Sequence, residues 1–328
     1  MTKIYSNDDI EVVILTGNRL ALFKESIGSV LAQSVPNIKV TVINNTKVED
    51  GTEEFVKDLM ARSPNVHYYR QPQYVTSGEN LETAKSFVTK DYVIFFHDDD
   101  IMHPQYIEYV LKLLNKHENV DLICSLLHPF SKKEQLDIKQ FAKAKYRIFK
   151  TKLDFVRHIY ISYCTDGTSL FFPNIVYRSA NLNKFNPFSP YGKIGDKPVV
   201  IDFIQDGICV QLLEKDFLFY RQHPGQDTQR VAKDPNIEQI ALYNKYFMEQ
   251  MSKDFKSKFV FNLCSVKTVK TFYKWANHKE DYTFPEFLKV LCNKKAVNIS
   301  ALFLHLIPTK LLLKPYNYIE KKYLSKKI

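Results

Sequence analysis

Apolar and polar positions alternate along the first 127 residues in blocks typical of two kinds of secondary structure. Five short runs are almost continuously aliphatic or aromatic, as strands buried on both faces of a parallel sheet are; they lie at 10–16, 37–44, 65–69, 91–97 and 120–127. Four intervening segments space their apolar residues as one face of a helix does; they lie at 19–33, 51–63, 78–88 and 105–117. Because helices of about 10–15 residues separate the strands, the pattern predicts a doubly wound, mostly parallel α/β sheet flanked by helices.

Beyond residue 127 the pattern is less regular. Residues 132–147 are rich in Lys and Gln and predict a polar helix. Residues 186–200 are dense in Pro and Gly and predict a loop. Ordered patterning returns at 197–215 and ends with the segment 217–229, and the chain from about residue 235 has the composition of basic helices.

Three of the predicted strands in the first block end in polar side chains. These tips are residues 16–19, 44–46 and 97–100. Because ligands of open α/β sheets bind beyond the carboxyl ends of the strands, we expect the three tips to form one site. The sequence lacks both the GxGxxG and the GxxxxGK[ST] phosphate loops. A bound nucleotide would therefore need another counter-charge, such as a divalent cation held by carboxylates.

The tip FFHDDD places three consecutive aspartates, Asp98 to Asp100, directly after an apolar strand. Carboxylates this close repel one another and raise each other's pKa. Strand alternation would place Asp98 and Asp100 on one face, unless the backbone turns before Pro104. Two interpretations follow: a cation site, or a solvated strand-to-helix turn with Asp100 or His103 near the helix N-terminus.

The positive charge of the chain is concentrated at one end. The chain carries 46 Lys and Arg against 36 Asp and Glu, and residues 251–328 hold 16 of the basic and 5 of the acidic residues. This distribution favours an anionic partner for the C-terminal quarter and argues against a nucleic-acid-binding core.

Residues 297–328 mix apolar residues with lysines, and Pro308 and Lys310 interrupt any run of the roughly 18 apolar residues that a membrane-spanning helix needs. Two interpretations stay open: an interfacial segment that binds an anionic membrane surface, or a helix that packs on the main domain with its lysines in water.

The five cysteines are scattered and form no CxxC pair, so we expect reduced thiols in a cytoplasmic protein. The N-terminal residues lack the pattern of a secretory signal peptide. Together with the basic C-terminal quarter, these features predict a cytoplasmic protein that could bind the inner face of the membrane peripherally.

Five segments in a fixed order resemble one family. They are VVILTGNRLALFKESIGSVLAQ, VINNT, DYVIFFHDDDIMHP, GKIGDKPVVIDFIQ and YRQHPGQDT. They are similar to family 2 glycosyltransferases of the GT-A fold, of the type that builds bacterial surface polysaccharides. The resemblance covers roughly residues 9–230. It implies a catalytic domain at 1–234, with a donor half at about 1–127 and an acceptor half at about 128–234. A helical, basic region follows at 235–328.

The resemblance implies a donor site at the strand tips. Eight residues would bind the nucleotide sugar: Thr16, Asn18, Arg19, Asn44, Asn45, Asn80, Lys85 and Asp98. Among them, Asn80 and Lys85 would contact the diphosphate and Asp98 the ribose. Asn44 and Asn45 replace the usual acidic pair of the family, which leaves open how the uracil N–H is accepted.

Asp99 and Asp100 would hold Mn²⁺ or Mg²⁺. His97 stands where many relatives have Asp, and it could equally be a packed strand histidine.

On the acceptor side, the resemblance makes Asp196 the general base, with Asp202 and Asp206 as alternatives. Arg221 and His223 would line the same site and donate to phosphate or acceptor, or form a surface ion pair.

The predicted function is metal-dependent, inverting transfer of a sugar from a nucleotide-diphosphate sugar, most simply a UDP-sugar. The acceptor would be a hydroxyl of a glycan or lipid-linked molecule. One alternative is a catalytically silent sugar-nucleotide or glycan-binding partner subunit. Another is a nucleotidyltransferase, although TGNRLAL lacks the glycines expected in its first loop.

Overall fold

The computed structural model describes residues 3–132, 136–165, 174–188, 190–191, 195–223 and 237–254, and further on 257–258, 261, 289, 293 and 325–327. The strands are β1 (Ile10–Thr16), β2 (Lys39–Asn44), β3 (Val66–Arg70), β4 (Tyr92–His97), β5 (Ile101–Met102), β6 (Val120–Ser125), β7 (His128–Phe130), β8 (Lys145–Phe149), β9 (Ile175–Arg178), β10 (Ile208–Leu212), β11 (Leu218–Arg221) and β12 (Ser325–Lys327). The helices are α1 (Leu20–Leu31), α2 (Thr52–Met60), α3 (Ser77–Ser86), α4 (Tyr106–Lys116), α5 (Lys152–Thr165), α6 (Asp196–Phe203) and α7 (Ile237–Met251).

The strands form one large sheet and one small sheet. The large sheet has nine strands in the order β12-β8-β10-β6-β9-β4-β1-β2-β3. β3, β2, β1 and β4 run parallel, and so do β6 and β10. β9 lies antiparallel between β4 and β6, and β8 and β12 form an antiparallel edge. The predicted α/β class with a mostly parallel sheet is confirmed.

The small sheet has the order β5-β11-β7. β5 pairs antiparallel with β11, and β11 pairs parallel with β7. Three residues, the aspartates 98–100, separate the end of β4 from the start of β5. The chain therefore passes from the large sheet to the small sheet through the aspartates.

All five strands and all four helices expected in the first block are present, with ends that shift by at most a few residues. The polar helix expected at 132–147 is wrong. The described residues 136–144 contain no helix, and Lys145–Phe149 is a strand that pairs antiparallel with β10. The lysines of this segment favour a helix only weakly, whereas strand pairing buries Tyr146 and Phe149 on the two sides of the sheet.

Two apolar cores cover the faces of the large sheet. One lies under α1, α2 and α4, and the other lies under α3, α5, α6 and α7. α7 falls in the predicted C-terminal region, yet Tyr243, Phe247 and Met251 on it are buried in the same core as α5 and α6. The domain boundary at residue 234 stays a prediction.

The lysine-rich segment 297–328, which the sequence analysis connects with a membrane surface, lies outside the described residues apart from β12. Its role therefore stays a prediction. Among the helices that the structure describes, none has both the length and the apolar character needed to cross a bilayer.

Candidate active site

The three aspartates form a turn that connects β4 of the large sheet to β5 of the small sheet. Their exposed fractions are 0% for Asp98, 6% for Asp99 and 2% for Asp100. The interpretation as a solvated turn is therefore wrong. Burying adjacent carboxylates is costly unless each is paired, so the partners of each aspartate indicate what the turn can do.

Asp98 points toward the end of β1. Its Oδ2 accepts a hydrogen bond of 3.1 Å from the Gly17 backbone N–H, and its Oδ1 lies 2.6 Å from Nη2 of Arg19. Burial raises the pKa of Asp98, and Arg19 opposes that rise. A fixed backbone donor and an arginine thus hold Asp98 in place.

Asp99 is the most strongly paired carboxylate of the three. Its Oδ2 accepts a 2.8 Å hydrogen bond from Nη1 of Arg19 and lies 3.1 Å from Nε2 of His223. Burial alone would raise the pKa of Asp99, but His97, Arg19 and His223 together lower it below the ordinary value. Asp99 is therefore an anion at neutral pH.

Only one of the two carboxylate oxygens of Asp100 has a hydrogen-bond donor among the described residues. Its Oδ1 accepts a 3.0 Å hydrogen bond from the Arg221 backbone N–H. Its buried Oδ2 has no hydrogen-bond partner among the residues that the structure describes, and Nδ1 of His97 lies 4.0 Å away. Burial and the neighbouring Asp99 raise the pKa of Asp100 well above the ordinary value. A buried acceptor without a donor is a position where a cation would be stabilising.

His97, Asp99 and Asp100 could hold a metal ion together. One ligand atom from each lies within 4.8 Å of the others. Carboxylate oxygens suit Mg²⁺ and Mn²⁺, and imidazole also suits transition metals. The two aspartates expected to bind the metal are thus brought together, with His97 as the third member. Asp98 faces Gly17 and Arg19 instead.

Arg221 connects the turn to β11 and α1. Its Nε donates to the Asp99 carbonyl at 2.8 Å, and its Nη2 donates to Oε2 of Glu25 at 2.8 Å. The guanidinium also lies 4.7 Å from the ring centre of Phe130. Because Arg221 is buried, its interpretation as a surface ion pair is wrong.

Sequence reasoning missed Glu25. It lies on α1, 196 residues before Arg221, and nothing in its local pattern indicates this partner.

The loops after β1 and β2 are joined by Asn18. Its Nδ2 donates to the Val48 carbonyl and its Oδ1 accepts from the Lys47 N–H, both at 2.9 Å. Asn18 has a φ of 57°, a left-handed conformation that asparagine adopts more readily than most residues. Thr16, at the end of β1, is buried beside this loop. The side chain of Asn18 therefore shapes the rim beside the aspartate turn.

Asn44 and Asn45 both bind protein groups. Nδ2 of Asn44 donates to the Tyr68 hydroxyl at 2.9 Å, and its Oδ1 accepts from the Thr46 N–H and hydroxyl. The Asn45 amide makes two hydrogen bonds to the backbone of Val75, at 2.9 and 3.0 Å. These contacts hold the loops after β2 and β3. Contact with a nucleobase stays a prediction for both residues.

The two α3 residues expected at the diphosphate lie at different ends of that helix. Asn80, in the first turn, is buried and accepts a 3.0 Å hydrogen bond from Gln71, just beyond β3. Lys85, near the C-terminal end, pairs with Glu82 at 2.9 Å and donates to the Phe185 carbonyl at 2.8 Å. Contact with a diphosphate stays a prediction for both residues, and this pairing gives no support to it for Lys85.

Asp196 is the first residue of α6, and its side chain reaches solvent. Protein atoms around the carboxyl group raise its pKa by desolvation, while Lys197 and His97 oppose the rise. Because the side chain is solvent-accessible, we expect an ionised carboxylate at neutral pH.

The two alternatives to Asp196 are less suited to be a base. Asp202, on the same helix, accepts a 2.6 Å hydrogen bond from the Tyr246 hydroxyl on α7. Asp206 lies in the loop after α6 and is exposed, and its backbone carbonyl accepts from Asn119 at 3.3 Å. Asp202 therefore connects two helices, and nothing places Asp206 near the turn.

Comparison with known families gives a match over half of the chain. Residues 11–178 match the model of the family described as Glycosyl transferase family 2. An uncharacterized glycosyltransferase of Rickettsia typhi is 25% identical over 177 residues, which are 53% of this chain and 52% of that protein. The chain thus spans about half the length of this relative. An uncharacterized glycosyltransferase of Methanocaldococcus jannaschii is 20% identical over 249 residues, 75% of this chain and 80% of that protein.

Solved structures share the fold more fully than the sequence. S. aureus TarS 1–349 in complex with UDP-GlcNAc superposes with a TM-score of 0.63 at 12% identity, covering 95% of this chain and 87% of TarS 1–349. Its complex with UDP gives a TM-score of 0.60 at 13% identity, with the same coverage. At these identities the likeness shows the fold, which is GT-A.

Proposed function

The chain belongs to glycosyl transferase family 2, and from this premise we propose that it transfers a sugar from a nucleotide-diphosphate sugar to an acceptor hydroxyl, with inversion and with a bound divalent cation. One observation carries the proposal. His97, Asp99 and Asp100 meet at the carboxyl edge of a GT-A sheet, and a buried oxygen of Asp100 there has no donor among the described residues.

The chain's own residues support donor binding at this edge. The polar ends of β1, β2 and β4 lie side by side, since β1 pairs with both of the others. Arg19 is part-exposed beside the turn and can face the phosphates. Asp98 is held by Gly17 and Arg19, which gives it a fixed position for a ribose hydroxyl.

His97, Asp99 and Asp100 would hold the cation. When bound, a divalent cation would offset the negative charge that develops on the departing diphosphate. The structural elements fix these ligands firmly, because Arg221 binds the Asp99 carbonyl and the Asp100 carboxylate at once. His223 approaches Asp99 from the segment after β11.

Asp196 would act as the general base. It would take the proton from the acceptor hydroxyl as that oxygen bonds to C1 of the sugar and the bond from C1 to the diphosphate oxygen breaks. Attack from the side opposite the leaving group inverts the configuration at C1. An ionised aspartate in a solvent-accessible position can do this without a large pKa shift.

We propose UDP as the nucleotide, since TarS, which shares the fold, is known in complex with UDP-GlcNAc and with UDP. A glycan or lipid-linked molecule of a surface polysaccharide is the proposed acceptor class. A cytoplasmic location with peripheral membrane contact through residues 297–328 completes the proposal, on the basis of the sequence alone.

The decisive experiment is a donor screen. Release of the nucleoside diphosphate would be measured from UDP- and GDP-sugars with Mn²⁺ or Mg²⁺, with and without EDTA. We expect turnover of at least one UDP-sugar that EDTA abolishes and Mn²⁺ restores. Binding of UDP-sugars without turnover on any acceptor would contradict the proposal and favour a silent sugar-nucleotide-binding subunit.

Two matched variants on α6 test the base. Asp196→Asn is expected to lower the transfer rate by about 10²–10⁴-fold, with little change in the affinity for UDP. Asp202→Asn alters a carboxylate on the same helix that binds Tyr246, and we expect it to retain transfer. The opposite ranking of the two variants would move the base to Asp202.

A further inference from the structure

Two cations compete for one carboxylate at this site: the guanidinium of Arg19 and the divalent cation of the proposed function. Nη2 of Arg19 lies 2.6 Å from Oδ1 of Asp98, and Nη1 lies 2.8 Å from Oδ2 of Asp99. Asp99 also belongs to the group with His97 and Asp100 whose ligand atoms lie within 4.8 Å of one another. The guanidinium therefore already occupies a carboxylate that a metal would bind.

Simultaneous occupation is unfavourable. A guanidinium and a divalent cation on the same carboxylate would be only a few ångströms apart, and a part-buried site screens their repulsion less than bulk water does. Asp98 and Asp100 are fully or almost fully buried, so they cannot turn outward to separate the charges. Arg19 is the member of the set that can move.

The position of Arg19 permits that movement. Its side chain is 37% exposed, and as the N-cap residue of α1 it has a non-helical backbone with φ −141° and ψ 42°. It follows Asn18, whose hydrogen bonds to the next loop fix the backbone just before it. The guanidinium can therefore turn toward solvent without unpacking an apolar core.

We propose that Arg19 changes partners when the donor binds. In the free protein it neutralises Asp98 and Asp99; when cation and nucleotide diphosphate bind together, it releases Asp99 and contacts phosphate oxygens. Arginine suits both positions, because its fork of donors matches carboxylates and phosphates alike. The inference rests on the proposed function and adds a coupling to it: a cation alone binds weakly, and nucleotide and cation strengthen each other's binding by the same factor.

The test measures Mn²⁺ affinity rather than activity. Free Mn²⁺ would be followed by electron paramagnetic resonance, without and with saturating UDP, for the wild type and for Arg19→Gln. We expect Arg19→Gln to bind Mn²⁺ without UDP about 10-fold more tightly than the wild type. The factor by which UDP tightens Mn²⁺ binding should shrink by about the same amount or more.

Two further variants control for charge and folding. Lys24→Gln removes one positive charge from the exposed side of the same helix, and it should match the wild type in both measurements. Arg19→Lys keeps the positive charge, and it should bind Mn²⁺ alone as weakly as the wild type. Circular dichroism and thermal unfolding of each variant would verify the fold.

The outcomes separate this inference from the function on which it rests. A wild type that binds no Mn²⁺ even with UDP overturns the proposed metal site. If the wild type binds Mn²⁺ with UDP, but Arg19→Gln binds Mn²⁺ alone no more tightly than the wild type does, the partner change of Arg19 is overturned and the metal site stands.

Discussion

Buried carboxylates lie at both ends of the strands of the large sheet, but their partners differ. At the amino ends, Oε1 of Glu11 accepts from the backbone N–H groups of Thr89 and Lys90, at 2.5 and 2.6 Å. Its Oε2 lies 2.8 Å from Nζ of Lys39. Oε1 therefore has two backbone donors and Oε2 has an ion-pair partner, and the residue connects the segment before β4 to β1 and β2.

Asp121, near the start of β6, is bound in the same way. Its Oδ2 accepts from the backbone N–H groups of Gln205 and Gly207, at 2.9 and 2.8 Å, and its Oδ1 accepts from Asn181 at 2.9 Å. Backbone donors cannot move without moving the chain. Asp121 therefore stabilises the entry into β10, as Glu11 stabilises the segment before β4.

At the carboxyl ends, Asp98 and Asp100 each accept one described hydrogen bond from a backbone N–H, from Gly17 and Arg221, whereas the described donors of Asp99 are side chains. Arg19 and His223 supply the donors of Asp99, and Oδ2 of Asp100 lacks one among the described residues. Side-chain donors can exchange for a ligand, and an acceptor without a donor favours a cation. Burial alone therefore does not distinguish a structural carboxylate from a functional one, whereas the number of backbone donors does: two each for Glu11 and Asp121, and at most one among the described donors of each aspartate in the turn.

The largest expected effect follows from changing Asp100. Asp100→Asn keeps an acceptor for the Arg221 N–H but removes the charge beside Asp99. We expect transfer to fall by about 10³-fold, while the free energy of unfolding of the metal-free protein stays equal or rises. The rate of UDP release would measure the loss of transfer, and urea unfolding would measure the free energy of unfolding. A large loss of stability in this variant would place Asp100 with the structural carboxylates.

The matched change at the other end is Asp121→Asn. We expect it to lower the free energy of unfolding by about 2–3 kcal/mol, because hydrogen bonds to a charged acceptor are lost or weakened in a buried site. The activity per folded molecule should be retained. Urea unfolding measures the first quantity, and transfer assayed well below the unfolding midpoint measures the second. Loss of transfer with an unchanged free energy of unfolding would show that Asp121 is not a structural carboxylate.

A smaller effect is expected at Gly207, one of the donors of Asp121. A Cβ there would lie 2.5 Å from Cγ of Asp121 and 2.6 Å from the Asn119 carbonyl oxygen. Gly207→Ala should therefore cost about 1–3 kcal/mol through overpacking. Gly28→Ala is the control, since no atom lies within 4 Å of the added Cβ inside α1. Gly28→Ala should raise the free energy of unfolding by about 0.5–1 kcal/mol.

The last prediction concerns the pH dependence of stability without metal. Because burial raises the pKa of Asp98 and Asp100, their contribution to stability falls as the pH rises from the ordinary aspartate value of about 3.9 through the raised values. The lowered pKa of Asp99 has the opposite sign: its contribution is present above about pH 3.9 and is lost as the pH falls through the lowered value.

We expect Asp100→Asn to lose less stability than the wild type as the pH rises from about 4 to 8. The variant replaces the Asp100 carboxyl group, whose pKa is raised, by an amide that does not ionise. Urea unfolding across this range, with EDTA present, measures the difference. Identical pH profiles for the two proteins would show that Asp100 is not held in a costly ionised state.

Sequence reasoning predicted the first half of the fold well, because its signals are local. The run IEVVILT and the spacing of Phe23, Ile27 and Val30 depend only on strand and helix periodicity, and β1 and α1 lie where they indicate. The helix predicted around β8 is wrong because this strand is stabilised by pairing with β10, whose residues lie 60 to 66 positions later in the chain.

The same division holds for the candidate site. The sequence by itself determined that the tips of β1, β2 and β4 meet at one edge and that an apolar strand runs into three aspartates there. Only the tertiary structure decided that Asp99 and Asp100 group with His97, that Arg19 holds Asp99, and that Arg221 and His223 complete the turn from more than 120 residues away. Periodicity fixes which side of its own element a residue occupies, whereas the packing of distant elements decides which charges meet.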